Sequence, residues 1–253
     1  MTNIILSGCN GKMGQVICRL AHENPEATVV GGFDPFTEVK NDFPVFPAPQ
    51  EISAQADVII DFSNPTSLDA LLDFALLHKL PLVISTTGHT ASQKARIADA
   101  SQAIPIFMSG NMSLGINLMM NLVAQAAKTL EGLFDVELIE KHHNKKIDAP
   151  SGTALMLADA INDARETKCD YVFERESRRE KRANTELGIH SIRGGTIVGE
   201  HSVIFAGNDE VIEITHTAMS REVFAVGALK AATFMVGKPA GLYSMKEVIQ
   251  ESV

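Results

Sequence analysis

A short segment in the middle of the chain concentrates side chains that could bind an anion and protonate it. It reads His142-His143-Asn144-Lys145-Lys146-Ile147-Asp148-Ala149-Pro150-Ser151-Gly152-Thr153. Histidine exchanges protons near neutral pH. Asp148 or Ser151 can cap the helix that the following residues predict, with Pro150 in its first turn. The backbone amides around that helix start would then donate to a bound carboxylate, and they belong to Ser151, Gly152 and Thr153.

The segment predicts a site for a carboxylate substrate that must gain a proton. His142 and His143 would point to opposite sides of an extended chain, so that one faces the reacting carbon and the other holds a carboxylate. Lys146 can return to the same pocket as a proton donor or an electrostatic clamp. Zinc is an alternative, but no third ligand stands at metal-ligand spacing, so we predict no metal. A purely structural histidine pair, and an Asp148 that only caps the helix, are the plainer alternatives.

A glycine-rich turn near the N-terminus is a second candidate site. It links an apolar strand to a helix, and its residues are Gly8, Cys9, Asn10, Gly11, Lys12, Met13 and Gly14. Glycines let the backbone turn sharply and approach a phosphate, whose charge suits the amides of a helix N-terminus. We therefore predict that a dinucleotide pyrophosphate binds here. A plain tight turn is the alternative, since the spacing G-x-x-G-x-x-G differs from the commoner G-x-G-x-x-G.

Asp34 ends the next apolar run, twenty residues beyond Gly14, where an acid can accept from the adenosine ribose hydroxyls. An acid suits a free 2′-hydroxyl better than a 2′-phosphate, so we predict NADH in preference to NADPH. Lys12 still leaves NADPH open, whereas Pro35 offers no cation. Two later loops follow strands and should lie at the same sheet edge, unless they are ordinary polar loops. Their candidate residues are Ser85, Thr86, Thr87, Ser109, Gly110, Asn111 and Met112.

Alternating strands and helices must position these sites. Between residue 3 and about 112 the sequence predicts strands at 3–7, 28–33, 56–62, 81–85 and 104–108, and helices at 15–24, 65–78 and 91–100. Apolar rather than alternating strands indicate a sheet that is covered on both faces. We therefore predict an α/β fold whose N-terminal part is a Rossmann-type, doubly wound parallel sheet.

The pattern changes near Ser113. The sequence then predicts a long apolar helix at 115–133, a strand at 136–141 and a helix at 151–165. Closely spaced strands follow at 171–175, 190–193, 201–206 and 211–217, which predict a meander or a mixed sheet before a last helix at 222–236. The charged run 174–182 is predicted to be a solvated loop.

Composition and charge exclude several classes of protein. A length of 253 residues accommodates two smaller domains, and 45% hydrophobic with 21% charged residues is an ordinary globular balance. The net charge of −9 lacks the basic footprint of a nucleic-acid binder. No apolar run approaches the ~18–20 residues of a membrane helix, and no signal peptide is predicted. Three cysteines without paired spacing argue against a disulfide framework, so we expect a cytoplasmic protein.

Over essentially its whole length the chain resembles the dihydrodipicolinate reductase (4-hydroxy-tetrahydrodipicolinate reductase) family. The string His-His-x-x-Lys-x-Asp-Ala-Pro-Ser-Gly-Thr is specific to that family, whereas the glycine turn alone is not. The other matching segments are Asp61-Phe62-Ser63, Thr86-Thr87-Gly88, Glu140-Lys141, Arg193-Gly194-Gly195, Val198-Gly199-Glu200-His201 and Ser220-Arg221 before Phe224-Ala225.

The resemblance implies an activity and an architecture. The activity is reduction of 4-hydroxy-tetrahydrodipicolinate, a small dicarboxylate, to tetrahydrodipicolinate by hydride from NAD(P)H in lysine and diaminopimelate biosynthesis. The implied dinucleotide-binding domain spans 1–112 and 222–253. The implied substrate-binding and oligomerisation domain spans 113–221, is of α+β type, and assembles through an open mixed sheet into a homotetramer.

The resemblance also implies roles for single residues. His142 matches the acid/base residue of the family and Lys146 its proton donor, while His143 matches a substrate contact. Gly152 and Thr153 match the amides that hold a carboxylate. Cofactor contacts are implied in the loops 85–87 and 109–112 and at Phe62. The sequence departs from the family in two places: Ser85 stands where a glycine is common, and Asp34-Pro35 replaces an acid–arginine pair of some members, which leaves the cofactor preference open.

Two other functions compete with this one. An aldehyde oxidoreductase that acts through a thioester would need a cysteine nucleophile, and Cys169 is its only candidate in the second half of the chain. A cofactor-sensing protein would keep the dinucleotide-binding half but would have no use for the segment 142–153.

Overall fold

The computed structural model describes residues 1–49, 52 and 55–251. The strands are β1 (Thr2–Ser7), β2 (Ala27–Phe33), β3 (Val45–Phe46), β4 (Val58–Asp61), β5 (Leu82–Ile84), β6 (Pro105–Met108), β7 (Asp135–His142), β8 (Asp170–Val172), β9 (Glu186–Arg193), β10 (Gly199–Ala206), β11 (Val211–Ala218) and β12 (Gly241–Tyr243). The helices are α1 (Lys12–Glu23), α2 (Leu68–His78), α3 (Ala91–Ala100), α4 (Leu114–Thr129), α5 (Gly152–Ala164), α6 (Glu222–Met235) and α7 (Met245–Glu251).

These elements form two units, Met1–Leu114 with Glu222–Val253 and Gly115–Arg221. The first unit contains a parallel sheet of seven strands in the order β12-β6-β5-β4-β1-β2-β3. Its central strands are buried on both faces, as the apolar runs predicted. Helices α1, α6 and α7 pack on one face, and α2 and α3 pack on the other. The predicted doubly wound parallel sheet is therefore confirmed.

The strand order of the first sheet reverses at β1, which has β4 on one side and β2 on the other. In a doubly wound sheet, ligands bind outside the carboxyl ends of the strands at such a switch point. The glycine turn leaves β1 at this place, and Phe62 leaves β4 beside it. The topology thus brings the predicted cofactor segments to one edge of the sheet.

The second unit contains a mixed sheet in the order β11-β10-β7-β9-β8. β7 pairs with β9 in parallel and with β10 antiparallel, which confirms the prediction of a mixed sheet. Apolar side chains of α4 and α5, such as Val123 and Leu157, pack with Leu138, Ile189 and Phe205 of the sheet. The central strand β7 carries the start of the segment 142–153.

Several element boundaries differ from those predicted. Helix α4 ends at Thr129 rather than at 133, because Gly132 turns the chain with a φ of +76° and Leu133 is 74% exposed. Strand β8 ends at Val172 rather than at 175. The short elements β3, β12 and α7 were not predicted. The predicted C-terminal end of the dinucleotide-binding domain, residue 253, lies outside the described residues.

The charged run 174–182 is more than a solvated loop. Most of it is exposed, but Arg175 pairs with Glu186, and Arg182 pairs with Asp135 and, at 3.2 Å, with Glu137. Both arginines are half-buried, because the carboxylates that they meet stand on β7 and β9. The prediction was wrong for these two arginines, since charge density in a sequence does not reveal which cations have a partner elsewhere in the chain.

Candidate active site

The end of strand β7 places a carboxylate and an imidazole on one face of the second sheet. Side chains two residues apart in a strand point the same way, so Glu140 and His142 share a face. Across the sheet, Glu140 lies opposite His201 of β10, and His142 lies beside Arg193 of β9. Three neighbouring strands therefore bring an acid, two histidines and an arginine together.

Glu140 is fully buried and accepts hydrogen bonds at both carboxylate oxygens. Its Oε2 lies 2.6 Å from Nδ1 of His142 and 2.7 Å from Nη1 of Arg193. Its Oε1 lies 2.7 Å from Nη2 of Arg193 and 3.1 Å from the amide nitrogen of Ser151. Burial opposes ionisation, but the hydrogen bonds from Arg193 and His142 outweigh it and lower the pKa of Glu140 to about 2. The site therefore contains a permanent, buried anion.

His142 is held through one ring nitrogen, which leaves the other for proton exchange. Because Nδ1 faces the Glu140 carboxylate, Nδ1 carries the hydrogen and Nε2 is the atom that can gain or lose a proton. A Cβ on Gly199 would lie 3.1 Å from Nε2, so the glycine leaves room on that side of the ring. The ring of His201 stacks edge-on at 5.2 Å between centroids.

Ser151 caps helix α5 and joins it to the sheet. Its hydroxyl accepts from the amide of Ala154 at 3.1 Å and lies 3.0 Å from Nε2 of His201. Its own amide donates to Glu140, whereas the sequence predicted that this amide would face a bound carboxylate. Ser151 is the helix cap, and Asp148 is not. The amides of Gly152 and Thr153 remain as the candidate anion donors at this helix start.

The turn between β7 and α5 carries the remaining predicted residues. Nζ of Lys146 lies 2.8 Å from Oδ1 of Asp148, and this hydrogen bond lowers the pKa of the Asp148 carboxyl. The carbonyl of Asp148 accepts from Nη2 of Arg193 at 2.6 Å, which ties the turn to β9. His143 is half-buried, and its Nδ1 has no hydrogen-bond partner among the described residues. The structure therefore gathers the predicted catalytic and substrate residues around one turn and one helix start.

His201 is a buried histidine in the same cluster. Its side chain is 3% exposed, and burial, with a smaller effect of His142, lowers its pKa to about 4. A neutral His201 can hold Ser151 without adding a second positive charge beside His142. It thus supports the helix cap rather than competing for the proton.

The glycine turn of the first unit has the shape that a pyrophosphate requires. Gly8 has a φ of +78°, and a Cβ there would lie 2.5 Å from the carbonyl oxygen of Phe62. A Cβ on Gly14 would overlap the carbonyl oxygen of Gly8. Helix α1 begins at Lys12, and its first turn contains no acid that would oppose an anion at the helix N-terminus. These residues fit a dinucleotide phosphate.

Asp34 holds the glycine turn against the loop that follows β2. One carboxylate oxygen accepts from the amide of Asn10 and the other from the amide of Phe36, each at 3.0 Å. Asn10 also donates its side-chain amide to the carbonyl of Phe36 and accepts from Asn41 at 2.8 Å. Asp34 is 6% exposed. It therefore shapes the turn, in addition to the ribose contact that the sequence predicts for it.

The loops after β4 and β5 meet, as their parallel pairing requires. The amide of Ser63 donates to the hydroxyl of Thr86 at 3.0 Å, and the amide of Ser85 donates to the carbonyl of Asp61 at 2.9 Å. Ser85 and Thr86 are buried, whereas Thr87 is exposed. These bonds hold the two strand ends side by side at the predicted cofactor edge.

The loop after β6 is also ordered by internal hydrogen bonds. The hydroxyl of Ser109 donates to the carbonyl of Asn111 at 2.7 Å, and Gly110 beside it is exposed. Met112 packs in the core, where Gly227 of α6 approaches its carbonyl so closely that a Cβ would overlap it. Gly110 is thus open to a ligand, whereas the Ser109 hydroxyl is held within the loop and the Met112 side chain is buried.

Two of the predicted residues of the glycine turn also pack in the core. Cys9 is fully buried, and burial followed by the charge of Asp34 raises the pKa of its thiol to about 12. Met13 packs against the same apolar cluster. The side chains of Cys9 and Met13 are therefore structural, and these residues can offer a cofactor only their backbone groups.

A metal site, a membrane-spanning helix or a cysteine nucleophile would each indicate another function. Among residues 1–49, 52 and 55–251, no group of three or more histidine, cysteine and acidic side chains could hold a metal ion. Within the same residues, none of the helices has both the length and the apolar character needed to cross a membrane. Cys169 is 8% exposed, and burial raises the pKa of its thiol, which does not suit a nucleophile.

Comparison with known proteins identifies the family. The family model for the N-terminus of dihydrodipicolinate reductase matches residues 2–112, and the model for the C-terminus matches residues 115–249. The chain belongs to the dihydrodipicolinate reductase family. It is therefore an NAD(P)H-dependent oxidoreductase, and the resemblance found in the sequence is confirmed.

Named relatives agree with this family. The chain is 53% identical over 251 residues to the 4-hydroxy-tetrahydrodipicolinate reductase of Caldanaerobacter subterraneus subsp. tengcongensis, covering 99% of both chains. It is 51% identical to the enzyme of the same name from Clostridium tetani, covering 97% of this chain and 96% of the other. Since these matches span nearly the full length, they support the family for both units.

A solved structure supports the fold. The dipicolinate-bound dihydrodipicolinate reductase from Paenisporosarcina sp. TG-14 matches with a TM-score of 0.81 at 24% identity, over 96% of this chain and 97% of that one. A myo-inositol dehydrogenase from Corynebacterium glutamicum matches with a TM-score of 0.60 at 17% identity, over 95% and 90%. These likenesses confirm the predicted α/β fold class.

Sequence reasoning gave no role to Glu140, Arg193 or His201. A signal for Glu140 was present: it follows Val136 and Leu138 at alternate positions of β7, so an acid occupies an inward-facing position. A buried acid needs a partner, which predicts a cation nearby. The identity of that cation depends on the pairing of β7 with β9, which the sequence does not reveal.

Proposed function

We propose that this chain reduces 4-hydroxy-tetrahydrodipicolinate to tetrahydrodipicolinate with NADH or NADPH, in lysine and diaminopimelate biosynthesis. The observation that carries the proposal is the hydrogen bond of 2.6 Å between Glu140 and His142 beside the start of α5, in a chain of this family. It combines a group that can exchange a proton with amides that can bind a carboxylate. Such a set suits a dicarboxylate that loses its 4-hydroxyl group as water and gains one hydride and one proton.

The substrate carboxylate binds at the N-terminus of α5. Gly152 is exposed, and a Cβ there would have no atom within 4 Å, so ligand atoms can approach its backbone closely. The helix dipole and the amides of Gly152 and Thr153 favour an anion at this place. His143 and Lys146 on the preceding turn supply further hydrogen bonds and positive charge. Ser151 contributes by fixing the helix start.

The cofactor binds at the edge of the first sheet. The glycine turn from Gly8 to Gly14 would hold the pyrophosphate, and Asp34 would accept from the adenosine ribose. The loops after β4, β5 and β6 would hold the nicotinamide end, through residues such as Thr87 and Ser109. When bound, the dihydronicotinamide supplies the hydride. The buried acid favours a free 2′-hydroxyl, so NADH is the preferred cofactor.

His142 exchanges the proton. Its Nδ1 is engaged by Glu140, so Nε2 is the ring atom that can donate the proton to the reduced ring. Lys146 lies on the exposed turn beside Asp148, where its ammonium can hold a carboxylate and stabilise negative charge as it develops. In this scheme Lys146 is the clamp and a second candidate donor.

An oxidation assay tests the proposal. Purified protein is mixed with NADH or NADPH and with substrate made in situ from pyruvate and aspartate semialdehyde, and the loss of absorbance of the reduced cofactor is followed. We expect turnover with both cofactors and a higher kcat/KM with NADH. Omission of either precursor is the control and should abolish the signal. Cofactor oxidation that does not depend on the precursors, or none at all, contradicts the proposal.

A ligand-binding measurement separates the reductase from a cofactor-sensing protein. Pyridine-2,6-dicarboxylate is a stable planar dicarboxylate, and it should bind with higher affinity when NADH is present. Calorimetric titrations with and without NADH measure this difference. Cofactor binding without any binding or turnover of a dicarboxylate would favour the sensor.

The second unit also supports assembly into a homotetramer. Strand β11 is an edge strand, and all of its side chains are exposed or half-buried, including Val211 and Ile212 at 63% and 39%. An open edge strand with exposed apolar side chains favours association with another sheet. Sedimentation equilibrium should give four times the chain mass, and a monomer would contradict the assembly.

The three cysteines are unpaired, which supports a reducing compartment such as the cytoplasm.

A further inference from the structure

We infer that Glu140 is a positioning residue that couples the proton-exchanging ring of His142 to the anion-binding start of α5, with Arg193 holding Glu140 in place. The inference rests on the proposed function, because it assigns a purpose to Glu140 only if His142 and α5 act on the same substrate. It adds two residues, Glu140 and Arg193, to the machinery of the reaction.

The Glu140 carboxylate joins three elements of the second unit. Its two oxygens are shared among three partners on three different elements. Oε2 contacts His142 on its own strand at 2.6 Å, and Oε1 contacts the amide of Ser151 before α5 at 3.1 Å. The Arg193 guanidinium of β9 contacts both oxygens at 2.7 Å in a bidentate pair. One rigid group thus sets the position of the imidazole relative to the helix start.

Glu140 must carry a negative charge to hold these partners. A fully buried carboxylate is costly unless it is paired, and here the bidentate arginine supplies the pairing. The resulting anion fixes the hydrogen of His142 on Nδ1. An amide of the same shape would not do so, since an amide nitrogen turned to His142 would donate rather than accept.

Arg193 links Glu140 to the turn that carries Lys146 and Asp148. Its Nη2 also donates to the carbonyl of Asp148 at 2.6 Å, and Asp148 pairs with Lys146 at 2.8 Å. A chain of direct contacts therefore joins Lys146, Asp148, Arg193, Glu140 and His142. This arrangement fixes the position of Lys146 relative to His142, and these are the two candidate proton donors.

The test is the substitution Glu140→Gln, which keeps the shape of the side chain and removes its charge. The glutamine oxygen can still accept from Ser151 and Arg193, but its nitrogen would face Nδ1 of His142 and move the imidazole hydrogen to Nε2. We expect kcat to fall at least about tenfold, since loss of the correct histidine tautomer costs up to roughly 10⁴-fold elsewhere. The affinities for NADH and for pyridine-2,6-dicarboxylate should stay within about twofold of wild type.

A spectroscopic readout separates positioning from general damage. An imidazole N–H that donates to a buried carboxylate gives a far-downfield proton resonance. We expect this resonance in the wild type and in complexes with pyridine-2,6-dicarboxylate, and we expect its loss in Glu140→Gln and in His142→Gln. Circular dichroism and thermal unfolding establish that each variant is folded.

The chain offers a matched control on the same strand. Glu137 also pairs with a histidine and an arginine, His190 at 2.8 Å and Arg182 at 3.2 Å, but it lies on the opposite face of β7. Glu137→Gln is the same chemical change in a similar pair, so it should leave kcat within about twofold and keep the resonance. Gel filtration establishes that both variants have the same oligomeric state as the wild type.

The outcomes are distinct. A folded Glu140→Gln with kcat within about twofold of wild type overturns the inference and leaves the reductase assignment intact. If Glu140→Gln does not fold, Arg193→Lys takes its place, and unchanged kcat in that variant likewise overturns the inference. If the wild type does not reduce the substrate, the proposed function is wrong, and loss of the resonance in Glu140→Gln then still supports the coupling of Glu140 to His142.

Discussion

The hydroxyl of Ser151 lies 3.0 Å from Nε2 of His201, fifty residues later in the chain, and this contact joins the first turn of α5 to strand β10. The histidine in this contact is buried and its pKa is lowered to about 4. A substitution there changes both the helix start and the response of the protein to acid.

Stability should fall as the pH drops from 6.5 towards 4, because the unfolded chain binds a proton at His201 that the folded chain excludes. The free energy of unfolding keeps the whole contribution of neutral His201 above pH 6.5. Full loss of that contribution at low pH corresponds to about 3 kcal/mol. Urea unfolding at pH 7 and pH 5 measures the difference. His201→Gln should shrink it, whereas His22→Gln on the exposed side of α1 should leave it as in wild type. An equal pH dependence in His201→Gln would contradict this assignment.

The parallel sheet was predictable because each strand carries its own signal. Buried strands such as Ile4–Leu6 and Ile59–Ile60 are apolar on both faces, and the glycine turn marks the step from β1 to α1. Short elements have no such signal. β12 contains three residues, and it becomes a strand only because β6 offers it an open edge.

The candidate site was predictable where one segment carries several reactive residues, and not where the partners come from other strands. His142, Lys146 and Gly152 stand close together in the sequence. Arg193 reaches Glu140 only through the parallel pairing of β7 and β9, across 53 residues. The Ser151 amide was predicted to donate to the substrate carboxylate, but it donates to Glu140 instead. The local sequence pattern predicts the helix start, and it does not reveal that a carboxylate of another element already uses one of the amides there.

The glycine turn gives a prediction with a matched control. Gly8 and Gly132 have φ of +78° and +76°, but a Cβ on Gly8 would meet the carbonyl of Phe62, whereas one on Gly132 has no atom within 4 Å. Both alanine variants carry the strain of about 1–2 kcal/mol that a left-handed residue costs. Only Gly8→Ala should weaken NADH binding, by at least about tenfold in a calorimetric titration. A folded Gly8→Ala with wild-type affinity would mean that the pyrophosphate binds elsewhere.

Asp34 should determine the cofactor ratio. Asp34→Asn keeps an oxygen for one of the two backbone amides and removes the charge that opposes a 2′-phosphate. We expect kcat/KM to shift towards NADPH, relative to NADH, by about fivefold, which is about 1 kcal/mol. Asp57→Asn is the control, because Asp57 also accepts a backbone amide, from Asn3 at 2.7 Å, at the opposite edge of the sheet. An unchanged ratio in Asp34→Asn would place the selection of the cofactor in other residues.

The clamp role of Lys146 predicts a moderate loss of activity. Removing a charge-assisted hydrogen bond to a substrate costs about 1.5–3 kcal/mol, so Lys146→Ala should lower kcat/KM for the dicarboxylate roughly 10- to 100-fold. The affinity for NADH should not change. The neighbouring Lys145 is exposed, and Lys145→Ala should retain nearly full activity. Turnover of Lys146→Ala within about twofold of wild type would remove Lys146 from the site.

The proton-exchanging role of His142 predicts a larger loss, and in kcat rather than in binding. A general acid contributes ~10²–10⁴-fold, so His142→Gln should lower kcat by about that factor while pyridine-2,6-dicarboxylate still binds in the presence of NADH. Glutamine keeps hydrogen-bonding atoms near Glu140 but cannot exchange a proton near neutral pH. The losses of kcat in His142→Gln and in Lys146→Ala show which of the two residues donates the proton. If Lys146→Ala loses more kcat than His142→Gln, Lys146 delivers the proton and His142 only orients the substrate.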